Sequence, residues 1–156
     1  MIRTTLVALT LCLSQLTFAQ GEAIELARED IRAGRMGLIA GSMALTPEQQ
    51  EKFWPIYQEY ADEQEKLLDK RIAMLKEFVG NSDGMTDEMA NSIAAQAFAI
   101  QRARTERRER YFKRFSEALG PVLAARFIQV DSQLATLMNF EMNRSMPLIR
   151  PPAADQ

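Results

Sequence analysis

Apolar residues recur every three or four positions along most of the chain, and long apolar–polar alternation rich in β-branched residues is absent. The pattern predicts an all-α protein built as a four-helix, long-hairpin bundle. A first helix is expected over residues 22–42, with Ile24, Ala27, Ile31 and Leu38 on one stripe that Gly34 and Gly41 interrupt and Gly37 flanks. Each interior glycine costs up to about 1 kcal/mol relative to alanine. This helix should be the weakest element: a mobile arm, a face for close helix approach, or a frayed end.

The second helix opens at Leu45-Thr46-Pro47-Glu48-Gln49. Thr46 can cap the N3 amide while Gln49 reaches back, and Pro47 is pre-set for the first helical position. Phe53, Ile56, Tyr60, Gln64, Leu67, Leu68, Ile72, Leu75 and Val79 then form one stripe ending near Gly80. Pro55 should kink this helix or loosen its first turns, because it lacks an N–H and crowds the carbonyl of Glu51. After the turn Asn81-Ser82-Asp83-Gly84, Met85-Thr86-Asp87-Glu88-Met89 repeats the opening in degenerate form. The third helix places Ile93, Ala97, Ile100, Ala103, Arg107, Tyr111, Phe115 and Leu119 inward. Gly120-Pro121 ends it and starts a fourth helix carrying Leu123, Phe127, Val130, Leu134, Leu137 and Met138. One helical domain is expected over residues 20–144, then an extended or disordered tail over 145–156.

The N-terminal residues change the setting. Arg3, an apolar run over residues 6–13 and Leu16-Thr17-Phe18-Ala19 before Gln20 have the order of a secretory signal peptide cut after Ala19, residues 1–19. A membrane anchor is the alternative, but this stretch is shorter than the roughly 20 apolar residues a spanning helix needs. Cys12 follows Leu11 rather than the small residue of a lipobox, and the chain has no other cysteine. Cleavage therefore leaves an exported protein without a disulfide and without a membrane span. It retains 18 Lys+Arg against 21 Asp+Glu, a formal charge of −3 that carries no global nucleic-acid footprint.

Candidate chemistry is sparse. The chain has no histidine, and no nucleophile elbow, phosphate-binding glycine loop, zinc motif or carboxylate di-metal motif is present. The expectation is a protein that is not an enzyme and needs no cofactor. Residues 101–114 hold Arg102, Arg104, Arg107, Arg108, Arg110, Lys113 and Arg114 against Glu106 and Glu109, a net +5. They suit either an anionic partner or, in an antiparallel hairpin, ion pairing to Glu59, Asp62, Glu63 and Glu65; Arg107 is expected to meet Glu59. Met138, Met142 and Met146 stand at four-residue intervals, and thioethers suit Cu(I), although filling of irregular core gaps is the commoner use. Phe53, Trp54, Tyr57 and Tyr60 form either core or a contact patch exposed at Pro55.

The leader, Leu45-Thr46-x-x-Gln49 at the head of a long amphipathic helix, and the partial echo at Thr86 resemble the LTxxQ-motif Spy/CpxP family of helical periplasmic proteins. The stretch Phe53-Trp54-Pro55-Ile56-Tyr57 also resembles small exported helical proteins linked to sigma-factor sensing. The first resemblance implies a curved antiparallel homodimer and ATP-independent, chaperone-like binding of unfolded or stress-exposed envelope proteins. Arg104, Arg108 and Phe112 of the third helix are then the client-contact candidates. The alternative it implies is a periplasmic adaptor in an envelope-stress, sigma-factor or metal-responsive signalling system.

Overall fold

A computed structural model describes residues 29–144 and Leu148, except the side chains of residues 141 and 142. Four helices and no strand occur among these residues: α1 over residues 29–43, α2 Pro47–Gly80, α3 Asp87–Leu119 and α4 Pro121–Asn143. None of them is long and apolar enough to cross a membrane. The expected leader and most of the expected tail lie outside the described residues.

The chain divides into two compact units between Ser42 and Met43. In α1 the expected stripe is rotated: Ile31 is 59% exposed and Leu38 58%, whereas Ile39 and Met43 are buried. Ile24 and Ala27 lie outside the described residues. A Cβ built on Gly34, Gly37 or Gly41 would meet nothing within 4 Å. The helix ends at Ala44, which takes the left-handed φ of 49°.

The second unit begins with the expected capping box. Gln49 N–H donates to Thr46 Oγ1 at 3.3 Å, and Thr46 N–H donates back to Gln49 Oε1 at 3.0 Å. The helix then runs through Pro55 to Gly80 without a break. Thr86 caps α3 in the same way, its Oγ1 accepting from Met89 N–H at 3.2 Å. Gly120 joins α3 to α4 at φ +87°, a conformation that L side chains rarely adopt.

The three helices of this unit meet in layers. Nearest the α3–α4 turn, Phe53, Tyr57, Tyr60, Tyr111, Phe115 and Phe127 are buried together, with Phe115–Phe127 and Tyr60–Phe127 ring centroids 4.4 and 5.1 Å apart. Of the aromatic residues after the capping box, Phe53, Tyr57 and Tyr60 are therefore core, and Trp54 is half-buried with its ring edge-on to Phe53 and Tyr57. At the opposite end Met74, Phe78 and Ile93 form a small aliphatic cluster flanked by Leu75, Met85 and Ile100. Between these layers lies a polar one.

Helix faces differ from the expected pattern in two further places. Met74 and Phe78 are buried while Val79 is exposed, and on α4 Ala124, Phe127, Asp131 and Ala135 face inward while Leu137 is 69% exposed. The inward face of α4 is thus turned toward two alanines and an aspartate. The aromatic rings and arginines of α2 and α3 occupy the volume that leucines would need.

Candidate functional site

The polar layer starts from Arg107, which falls on the inner face of α3 and is 3% exposed. Its guanidinium carbon lies 4.3 Å from the centre of the Tyr60 ring. Its Nη2 donates to Tyr60 Oη and to Gln64 Oε1, each at 3.2 Å. Glu59, the expected partner, is instead held by Arg114 at 2.6 and 3.0 Å. The reason is helical geometry: one residue along α2 turns about 100°, so Tyr60 faces the core where Glu59 faces the flank.

Asp131 of α4 completes this layer, and its role has no counterpart in the sequence reading. It is fully buried, accepts from Tyr60 Oη at 2.6 Å, and accepts from Arg108 Nε at 3.1 Å. Burial, followed by the neighbouring Asp131 charge, pushes the Tyr60 hydroxyl up to about 12, with the Arg107 charge opposing. The discoverable signal was the spacing Ala124, Phe127, Asp131, Ala135, which puts Asp131 on the same stripe as Phe127.

Below Arg107 a cavity of about 50 Å³ lies among α2, α3 and α4. Leu67, Leu68, Ile100, Ala135 and Met138 supply apolar wall, while Gln64, Arg71, Arg104, Arg107 and Asn139 supply polar atoms. Arg71 donates to the side-chain oxygens of Asn139 and Asn143, the latter at 2.8 Å.

The basic stretch is largely absorbed by the fold. Arg114 pairs with Glu59, Arg110 with Glu63 and Arg108 with Asp131. Of the client-contact candidates, Arg108 is therefore engaged inside the unit, Arg104 lines the cavity, and Phe112 is half-buried. The three do not form one exposed apolar and basic face. Leu45 is half-buried, and its carbonyl accepts from Gln50 Nε2 at 3.1 Å. Thr46, Gln49 and Thr86 serve as helix caps.

Met138 stands in the cavity wall, while the Met142 side chain and Met146 lie outside the described residues. No cluster of three or more His, Cys, Asp or Glu that would hold a metal ion occurs among the described residues. No family model, curated protein or solved structure matches the chain.

Proposed function

We propose that the protein binds apolar segments of unfolded or stress-exposed envelope proteins in the periplasm, without ATP or a cofactor, as a divergent relative of the Spy/CpxP family. The observation that carries this reading is an apolar strip on the distal part of α2. The α4 helix ends at Asn143, whose side chain reaches Arg71. From Ile72 onward α2 is paired with α3 alone among the described helices of this unit. Ile72, Leu75 and Val79 line a surface groove with the stem of Lys76, and Val79 is exposed. Apolar side chains one and two turns apart fit an extended or helical apolar segment, and the Met74 and Met85 side chains packed with Leu75 adapt to varied shapes.

The test is suppression of aggregation of a chemically unfolded protein without ATP. Protection should rise with dose and fall in Val79→Glu; no protection at stoichiometric excess rejects the reading. A second reading is an adaptor for one sensor protein, favoured by the short length of the strip. Affinity capture from envelope extract separates the two, since an adaptor returns one dominant partner and a chaperone many. Under either reading the homodimer that the family resemblance implies would join through this strip, which sedimentation checks.

A further inference from the structure

We propose that the cavity among α2, α3 and α4 is a binding site for one small oxyanion of phosphate or sulfate size, held by Arg71, Arg104 and Arg107. The inference is independent of client or partner binding. Three guanidinium groups converge on one small space, and the acceptors they have are neutral. Arg107 Nη2 bonds to Tyr60 and Gln64, and Arg71 bonds to Asn139 and Asn143. Arg104 makes no hydrogen bond or ion pair among the described residues.

Arg107 gives the second, independent sign. The residue is buried, lines the cavity, and its Nε and Nη1 have no hydrogen-bond partner. Buried guanidinium N–H groups left unsatisfied are costly, and such groups are normally matched by a carboxylate or an oxyanion. Asp131, the nearby buried carboxylate, accepts from Arg108 and Tyr60 through Oδ2 and does not hydrogen-bond to Arg107 Nε or Nη1. Burial first, then the positive charges of Arg108, Arg71 and Arg107, push the Arg104 guanidinium below its ordinary value, and Asp131 opposes this weakly. Burial likewise lowers Arg71.

Size and shape limit the occupant. At about 10–15 Å³ for each water, the cavity volume of about 50 Å³ suits a few waters or one tetrahedral oxyanion. It is too small to enclose a whole nucleotide. The apolar walls lower the local dielectric and strengthen each charge-assisted bond. Arginine is suited to this task, because its planar fork matches phosphate geometry and does not lose its charge near neutral pH.

The test is calorimetric titration of the full-length chain with inorganic phosphate, sulfate and glycerol phosphate at matched ionic strength. The wild type should bind phosphate at one site, and sulfate should compete. Arg104→Gln should weaken binding about tenfold or more, the effect of losing a charge-assisted bond. Arg102→Gln, on the exposed face of α3, should bind as the wild type does. Arg104→Gln should melt no lower than wild type in chloride, since it removes a crowded like charge. General salting effects of phosphate and sulfate act on both variants alike.

Glycerol phosphate binding as well as phosphate identifies a phosphomonoester end group, and its exclusion identifies the free ion. Broadening of the phosphate ³¹P resonance by the wild-type protein, reversed by sulfate, reads the same site without a variant. Absence of both heat and broadening overturns the proposal, as does equal weakening in the two variants.

Discussion

Tyr60 of α2 donates a 2.6 Å hydrogen bond to Asp131 of α4, and both side chains are fully buried. The carboxylate has Arg108 as its second partner on the same oxygen. Asp131→Ala breaks both bonds, and with Arg108 27% exposed the cost falls at or below the about 3–5 kcal/mol of a fully buried charge pair. Losing one hydrogen bond to a charged group costs about 1.5–3 kcal/mol. Asp131→Ala should therefore destabilise more than Tyr60→Phe in urea unfolding. A loss under about 1 kcal/mol for Asp131→Ala would contradict the buried network.

The same pair predicts alkaline behaviour. Tyr60 is raised to about 12 in the folded chain, against about 10 for an unfolded tyrosine. A raised folded value means that the stabilising contribution is complete below pH 10 and is lost as pH rises through 12. The difference corresponds to about 3 kcal/mol. The stability advantage of wild type over Tyr60→Phe should stay level up to about pH 10 and then shrink. Urea midpoints at stepped pH check this, and a constant difference through pH 12 would refute it.

Arg107 and Arg114 lie two turns apart on α3 and should respond differently to truncation. Arg107 is packed against the Tyr60 ring, whereas the Arg114–Glu59 pair is largely exposed. Arg107→Ala loses both buried packing and a cation–π contact, about 2 kcal/mol or more. Arg114→Ala loses an exposed ion pair of about 0.2–1 kcal/mol. The first should lower the melting temperature by several degrees more than the second, read by calorimetry. The inward position of Arg107 was legible because it falls in the series Ile100, Ala103, Arg107, Tyr111, Phe115. Its partner was not, because helix periodicity fixes a face and leaves the register between two helices open.

Helix ends were the most legible feature, since caps are local chemistry. Thr46, Pro47, Thr86 and Gly120-Pro121 set the starts of α2, α3 and α4. The two threonine caps differ in one bond: Gln49 returns a side-chain acceptor to Thr46 N–H, and Met89 at the matching place has none to return. Thr46→Ala should cost about 1 kcal/mol. Met89→Gln should stabilise by about 0.5 kcal/mol by completing the second box. Chemical denaturation of the two variants checks both signs.

The face that α4 presents was the least legible, because its apolar residues nearly encircle it. Leu123, Phe127, Val130, Leu134 and Leu137 allow more than one inward stripe. What selects among them is long-range: the aromatic layer of α2 and α3 leaves room for Ala124, and Tyr60 and Arg108 hold Asp131 inward. If that selection is correct, Ala124→Leu forces a larger side chain into a filled layer and costs about 1–3 kcal/mol. Leu137→Ala, at an exposed position, should change stability by no more than about 0.5 kcal/mol. Unfolding midpoints of the two variants decide the matter, and the reverse order would mean that α4 is rotated toward the stripe that hydrophobicity alone would choose.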